Sequence, residues 1–168
     1  LLGVDSSTTG CKVIAWDRMG IPVVEGRDSL KILHTHPEWH EQSAESWWQS
    51  ACTALRQVTG KIDARRLAAM GITVQRETFV PVDETGKPLR NAILWMDERA
   101  RSLLPALETE IGADHYHRLA GKPLSRNLAV GKIAWLRQHE ADVFQRVWKY
   151  LDVHAFLVQR LTGELCTG

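Results

Sequence analysis

Small hydroxyl residues from Ser6 to Thr9 lie between two short apolar stretches near the start of the chain. The apolar stretches, at 1–5 and 11–17, predict two strands of a hairpin, and the turn then offers hydroxyls and backbone N–H groups to an anion. Lys12 adds a cation just after the turn, and Asp5 can hold a metal ion through water. This arrangement suits phosphate binding, although an ordinary Ser/Thr-rich hairpin with a solvated lysine has the same spacing.

Gln75, Arg76 and Glu77 follow directly after another apolar stretch, at 67–74. In open α/β folds, ligands collect where strands end. Sugar hydroxyls both donate and accept hydrogen bonds, so a guanidinium beside a carboxylate can bind a diol that neither group would bind alone. The alternative is a surface ion pair, which contributes little stability and is the commoner arrangement in proteins.

Trp95 and Asp97 form a Trp-x-Asp-x-Arg pattern at the end of a further apolar run. An aromatic face packs on the apolar side of a sugar, and an aspartate accepts hydrogen bonds from its hydroxyls. In the alternative, Trp95 belongs to the core and Asp97 caps a helix that begins at Glu98. Asp97 can also fill both roles at once.

Turn residues and apolar periodicity predict the elements that must position these groups. A third β-rich stretch at 21–25, after the turn Met19-Gly20, extends the hairpin into a three-stranded antiparallel meander. Helical spacing of apolar residues from Ala44 to Val58 predicts a helix, with Ser43 as N-cap and Gly60 as its end.

The rest of the chain alternates predicted strands and helices. The strand at 67–74 is expected to be buried, with a strand at 79–82 as its neighbour. The remaining elements are helices at 98–111, 128–140 and 152–161 and a short strand at 147–151. This order predicts an α/β fold with helices packed on a mixed sheet, and 168 residues fit one domain of ordinary size.

The composition excludes several classes of function. The 21 Lys and Arg residues balance 20 Asp and Glu residues, so the chain has no basic field for nucleic acid. No apolar run reaches the length that spans a membrane. The three cysteines form no CxxC pair, and the seven histidines have no spacing that suits a metal. We therefore expect a cytoplasmic protein without nucleic-acid or membrane partners, and a homodimer is compatible with the sequence.

The segment from Gly3 to Lys12 resembles the first phosphate motif of the FGGY carbohydrate kinases, the family of glycerol kinase and xylulokinase. The resemblance implies that four residues bind the phosphates of the nucleotide: Thr8, Thr9, Gly10 and Lys12. It also implies that Asp5 faces magnesium. Ser7 departs from the family pattern, because it occupies the usual glycine position and places a Cβ where backbone normally approaches phosphate most closely.

Later motifs are similar to the same family and stand in the family's order. Residues 72–78 look like the glycerol kinase segment in which an Arg-Glu pair binds the polyol, and the stretch 121–136 is similar to a family turn and helix. The resemblance implies six substrate-binding residues: Gln75, Arg76, Glu77, Trp95, Asp97 and Asn127. Asn127 falls where glycerol kinases have a substrate-contacting tyrosine, which leaves room for a ketose or another polyol.

This family resemblance implies a ribonuclease H-like fold, as in actin and hexokinase, and transfer of the γ-phosphate of ATP, with Mg²⁺, to a hydroxyl of a sugar or polyol. In this family the catalytic aspartate and most of the nucleotide site lie in later segments. We therefore expect the chain to be a truncated N-terminal substrate-binding domain with no catalytic residue and no activity alone. A non-catalytic sugar-binding protein and a domain that serves assembly are the alternatives.

Overall fold

The chain folds into two units, each assembled from segments that are separated in the sequence. The computed structural model describes residues 1–166. Unit 1 contains residues 1–32, 42–76 and the chain from 151 onward, and unit 2 contains residues 33–41 and 77–150. One passage between the units is the peptide bond from Arg76 to Glu77, in the middle of the predicted sugar motif.

Secondary structure within residues 1–166 comprises eight strands, six α-helices and two 3₁₀ helices. The strands are β1 (Leu2–Ser6), β2 (Gly10–Trp16), β3 (Pro22–Ser29), β4 (Glu41–Gln42), β5 (Met70–Val74), β6 (Phe79–Val82), β7 (Ala92–Ile93) and β8 (Lys149–Asp152). The α-helices are α1 (Ala44–Thr59), α2 (Leu104–Ile111), α3 (Ala113–Ala120), α4 (Ala129–His139), α5 (Ala141–Arg146) and α6 (Val153–Thr162). The 3₁₀ helices are Ala64–Arg66 and Arg101–Leu103.

The sheet of unit 1 has four strands in the order β3-β2-β1-β5. The first three strands form the predicted antiparallel meander, and β5 runs parallel to β1. The prediction of a mixed sheet is therefore confirmed. Strand β5 begins at Met70 rather than at residue 67 and is only partly buried, because it lies at the edge of this sheet.

Helix α1 packs closely on one face of this sheet. Trp47 is fully buried in the helix, and Val13 is fully buried on β2. Gly26, opposite Val13 on β3, permits the close approach, because a Cβ there would lie 2.3 Å from the carbonyl oxygen of Ala54. The helix spans the predicted residues, although Ser43 makes no side-chain capping bond.

Helix α6 begins and ends as its sequence predicts. The carboxylate of Asp152 accepts a hydrogen bond from the backbone N–H of Ala155 at 2.6 Å, which satisfies a donor at the start of the helix. Gly163 ends the helix with a φ of 80°, a left-handed conformation that glycine adopts without strain. Phe156 packs edge-on against Trp47, with ring centroids 5.8 Å apart.

The second sheet has the strand order β4-β7-β6-β8, and β4 and β8 contain positions at which the chain passes between the units. The core of unit 2 includes Phe79, Ile93, Trp135 and Leu136. The predicted pairing of the strand at 67–74 with that at 79–82 is wrong, because β5 and β6 lie in different sheets. Strand β6 is buried at all four positions, whereas β5 is not, so the two strands have different surroundings.

The predicted helix at 98–111 begins later than expected. Residues Arg101–Leu103 form a 3₁₀ turn, and α2 starts at Leu104 with Pro105 in its first turn. Proline has no N–H to donate to the carbonyl four residues earlier, so an α-helix cannot continue through this point from residue 98. The start at Glu98 is therefore wrong, whereas the end at Ile111 is correct.

Two helices were not predicted from the sequence, and both lie largely at the surface. Helix α3 lies between Gly112 and Gly121, which have φ values of 82° and 69°, and none of its residues is buried. Helix α5 likewise has no buried residue. Apolar periodicity therefore gave no clear signal for either helix. Among residues 1–166, no helix is both long enough and apolar enough to cross a bilayer.

Candidate functional site

The turn between β1 and β2 is closed by Ser7 and Gly10. The backbone N–H and the hydroxyl of Ser7 both donate to the carbonyl oxygen of Gly10, at 2.9 and 3.0 Å. Gly10 is required by packing, because a Cβ there would lie 2.6 Å from the carbonyl oxygen of Asp28. The turn is thus fixed internally, and Thr9 lies exposed at its tip.

A chain of amide hydrogen bonds joins this turn to the end of β5. The hydroxyl of Thr8 donates to Oε1 of Gln75 at 2.9 Å, although the two residues are 67 positions apart. Gln42 donates to the carbonyl oxygen of Thr8 at 2.7 Å and accepts from Nε2 of Gln75 at 3.2 Å. The indole N–H of Trp47 donates to the same oxygen of Gln42 at 2.9 Å. A residue of the predicted phosphate motif and one of the predicted sugar motif therefore lie side by side within unit 1.

Asp5 and Lys12 lie directly opposite each other on β1 and β2, so both side chains point to one face of the sheet. Lys12 forms an ion pair with Glu25 at 3.1 Å. Asp5 is exposed, and no group of three or more His, Cys, Asp or Glu in the described part of the chain could hold a metal ion. A single exposed carboxylate fits magnesium, which keeps several of its waters and binds phosphate oxygens as well.

Arg76 and Glu77 differ sharply in their surroundings. The side chain of Arg76 is exposed and forms no hydrogen bond or ion pair with residues 1–166. The carboxylate of Glu77 instead accepts from the ammonium of Lys122 and, at 3.1 Å, from the backbone N–H of Ala129. The ion pair of Glu77 is therefore made with Lys122, and it is not the surface Arg-Glu pair of the alternative interpretation.

The carboxylate of Glu77 is held in its charged form. Partial burial acts to raise the pKa of this group, but the hydrogen bonds from Lys122 and Ala129 outweigh burial and keep the pKa below its ordinary value. The two bonds use different oxygens, and each carboxylate oxygen can accept two. Both oxygens can therefore still accept a hydrogen bond from a ligand hydroxyl.

Trp95 and Asn127 are both contacted by one buried cation. The ammonium of Lys132 donates to the carbonyl oxygen of Trp95 at 2.9 Å and to that of Asn127 at 3.0 Å. The backbone N–H of Trp95 donates to the hydroxyl of Thr78 at 3.0 Å. The side chain of Trp95 is 37% exposed, so it lies at the surface and not in the core.

Asp97 is enclosed by its neighbours. Its side chain and that of Arg99 are both 0% exposed, and Oδ1 accepts from Nε of Arg99 at 2.8 Å. Oδ2 accepts from the backbone N–H of His40 at 2.7 Å, and the guanidinium lies 4.0 Å from the ring centroid of Trp39. Arg99 also donates to Glu41 at 2.7 Å. These contacts stabilise unit 2, and the helix that Asp97 was expected to cap does not begin there.

Two buried polar residues that lie near the predicted site, Gln42 and Lys132, were not predicted to belong to it. Lys132 had a signal in the sequence, because it stands four residues after Leu128 and four before Leu136, on the buried stripe of α4. A lysine on an apolar stripe is unusual enough to indicate a special role. Gln42 had no such signal, since its partners Thr8 and Gln75 are more than 30 positions away.

The buried cysteine, Cys11, carries no sign of reactive chemistry. Cys11, Cys52 and Cys166 are free. Burial raises the pKa of the Cys11 thiol to about 11, and the charges of Asp5 and Asp28 add to the effect. Cys11 is therefore protonated at neutral pH, in keeping with a structural thiol.

Comparison with known proteins assigns the chain to a family. Residues 1–168 match the family model of the FGGY family of carbohydrate kinases, N-terminal domain. The chain belongs to the FGGY family of carbohydrate kinases. Among the curated FGGY relatives, the xylulose kinase of Klebsiella pneumoniae is 31% identical over 166 residues, which are 99% of this chain and 34% of that protein. The glycerol kinase of Rippkaea orientalis is 36% identical over 81% of this chain and 28% of that protein.

Solved FGGY structures share the fold. A xyloylose kinase from Brucella ovis superposes with a TM-score of 0.90 at 27% identity, over 97% of this chain and 34% of that one. Plasmodium falciparum glycerol kinase with ADP gives a TM-score of 0.90 at 24% identity, over 98% of this chain and 34% of that one. The predicted ribonuclease H-like α/β fold is therefore confirmed. The chain spans about a third of the length of these relatives.

Replacement of Gln42 by leucine is expected to destabilise unit 1. The substitution removes the acceptor of the buried indole N–H of Trp47, which costs about 1–3 kcal/mol, and it also removes the hydrogen bonds of Gln42 with Thr8 and Gln75. We expect a loss of roughly 2–4 kcal/mol in the free energy of unfolding, measured by urea denaturation. Gln49→Leu, at an exposed position of α1, is the control and should change stability by less than about 0.5 kcal/mol. Equal effects of the two substitutions would contradict the network.

The titration of Lys132 gives a second test, in which the burial of its ammonium is checked through the pH dependence of stability. Burial lowers the pKa of this lysine from 10.5 to about 8, against the opposing charges of Asp97 and Glu77. Between pH 8 and 10.5 this lysine therefore binds more protons in the unfolded chain than in the folded chain, and its contribution to the free energy of unfolding rises with pH in this window. Relative to Lys132→Met, the gain should reach roughly 3 kcal/mol.

The measurement is urea denaturation of both chains at pH 7.5, 9 and 10.5, so that other titrating groups cancel in the difference. Lys87→Met, at an exposed lysine of the same unit, is the control and should show no such trend. A stability difference between wild type and Lys132→Met that stays constant across the window would contradict the burial of a titrating ammonium.

Proposed function

We propose that the protein transfers the γ-phosphate of ATP to a hydroxyl of a sugar or polyol, with a ketose such as xylulose as one candidate and a polyol as another. The observation that carries the proposal is the pair of consecutive residues Arg76 and Glu77. Arg76 offers a guanidinium with five N–H donors that is exposed and unpaired within residues 1–166, and Glu77 offers a fixed carboxylate with acceptor sites to spare. A diol needs both kinds of partner.

Other predicted residues have supporting parts in sugar binding. The exposed indole of Trp95 offers an apolar face to the carbon side of a sugar. We propose that Asn127 and Gln75 add amide contacts to the hydroxyls. Asp97 was predicted to accept from the sugar, and this stays a prediction. Each of its oxygens already accepts two hydrogen bonds, from Arg99 and His40, so a sugar hydroxyl would have to replace one of them.

The nucleotide phosphates are proposed to bind at the turn between β1 and β2, through Thr8, Thr9, Gly10 and Lys12. The internal hydrogen bonds of the turn support this role, because a fixed loop loses little entropy when it binds an anion. Asp5 would hold Mg²⁺, which neutralises phosphate charge in such transfers. Lys12 would have to share its charge between phosphate and Glu25, its present partner.

Several parts of the function are proposed to lie outside these residues. We propose that a later segment supplies the aspartate that removes the proton of the hydroxyl, together with most of the nucleotide site. The 168 residues alone would then be inactive as a kinase. We propose a cytoplasmic enzyme that acts on small molecules and not on nucleic acid or membranes, and a homodimer is compatible with this.

A sugar-binding protein that retains the kinase fold but not the reaction is the second candidate. Ser7 favours it, since its side chain lies in the turn at the position where the family pattern has glycine. Calorimetry on the full-length protein distinguishes the two candidates. A kinase binds both ATP and sugar, whereas the sugar-binding protein binds sugar with an affinity that ATP does not change.

Replacement of Arg76 by alanine tests the proposed sugar contact. The full-length protein is first screened with pentuloses, hexoses, glycerol and tetritols in the presence of ATP and magnesium. We expect Arg76→Ala to raise KM for the best substrate by roughly tenfold or more, because a charged hydrogen-bond donor is lost. The KM for ATP should change by less than about twofold.

The matched control is Arg66→Ala, at an exposed arginine of the same unit. This control should behave as the wild type in both KM values. If Arg76→Ala also keeps the KM of the wild type for the sugar, Arg76 does not bind the substrate. If no compound in the screen is phosphorylated, the kinase proposal itself is contradicted.

A further inference from the structure

The side chain of Lys132 is fully buried, and it lies on α4 without a carboxylate partner. Lys132 is 0% exposed, and within residues 1–166 it forms no ion pair. A buried ammonium is costly to a fold unless hydrogen bonds compensate the loss of water. Its hydrogen bonds go to two main-chain carbonyls instead, those of Trp95 and Asn127. The fold therefore buries a cation at this position despite the free-energy cost of removing it from water.

The two carbonyls belong to turns that lie outside the helices and strands. Trp95 follows β7 by two residues, and Asn127 lies in the turn that precedes α4. A carbonyl oxygen only accepts hydrogen bonds, so a donor is needed to fix it. A donor on α4 must be long enough to contact both carbonyls. Lysine supplies three N–H groups on a long stem, and methionine or leucine of similar volume supplies none.

The first turn of α4 also contacts Glu77. The backbone N–H of Ala129 donates to the carboxylate of Glu77 at 3.1 Å, and Lys132 lies three residues further along the helix. Glu77, Trp95 and Asn127 are three of the predicted sugar-binding residues. All three are therefore positioned by one short stretch of helix, at 129–132, through three hydrogen bonds.

We propose that Lys132 is a positioning residue for sugar binding: its ammonium fixes the main chain of Trp95 and Asn127, so that the indole and the amide stand ready for the sugar. This inference rests on the proposed kinase function. Lys132 is enclosed and does not touch the sugar, so its effect passes through the two segments that it holds. Without these N–H donors, the main chain of both segments should become more mobile.

Kinetics of the full-length protein test the proposal, with Lys132→Met as the variant. Methionine is an unbranched apolar side chain one atom shorter than lysine, and it has no hydrogen-bond donor. We expect the KM for the sugar to rise by roughly tenfold or more, while the KM for ATP stays within about twofold of the wild type. Lys87→Met is the matched control, since Lys87 is exposed in the same unit, and it should leave both values unchanged.

The outcomes separate this inference from the proposed function. A wild type that phosphorylates no sugar contradicts the function. An active wild type with a folded Lys132→Met of unchanged sugar KM overturns the inference alone. Equal increases in both KM values also overturn it, because they indicate a general loss of structure.

A measurement on the unaltered protein covers the case in which the variant does not fold. With ¹⁵N-labelled lysine, the Nζ signal of Lys132 should exchange slowly with water and should shift when the sugar that the screen identifies is added to saturation. A non-hydrolysable ATP analogue alone should leave the signal in place. A signal that is insensitive to the sugar overturns the proposal.

Discussion

The conformation of Glu77 is the constraint on which the rest of the site depends. Its φ of 58° lies in the left-handed region, which costs a residue with a side chain about 1 kcal/mol or more and persists only where its surroundings compensate. The compensation is visible in unit 2, where the carboxylate accepts from Lys122 and from the start of α4.

In each unit, one buried polar side chain forms hydrogen bonds with two of the predicted site residues. In unit 1, Gln42 contacts Thr8, Gln75 and Trp47, so the turn after β1 and the end of β5 cannot move independently. In unit 2, Lys132 does the same for the segments of Trp95 and Asn127. Neither residue has an opposite charge as its partner. Gln42 is a neutral amide and is cheaper to bury than a charge, whereas the ammonium of Lys132 is compensated only by the main-chain carbonyls that it contacts.

The elements that the sequence predicted well are those with local signals. Turn residues defined the meander, and capping residues such as Asp152 and Gly163 defined α6. Pairing between distant segments left no local trace, so the second sheet was missed and β6 was assigned the wrong neighbour. The same contrast between local signals and distant contacts holds for the predicted site residues. The resemblance to the FGGY motifs led to the predictions for Thr8 and Arg76, whereas Gln42 depends on partners that only the fold brings near.

The proposed function requires that Arg76 and Glu77 together bind the hydroxyls of the substrate. The most direct measurement is a crystal structure of the full-length protein with the bound sugar or polyol that it phosphorylates. We expect the guanidinium of Arg76 and the carboxylate of Glu77 to lie within hydrogen-bond distance, about 3 Å, of adjacent sugar hydroxyls. A bound sugar with both side chains directed into solvent would contradict it.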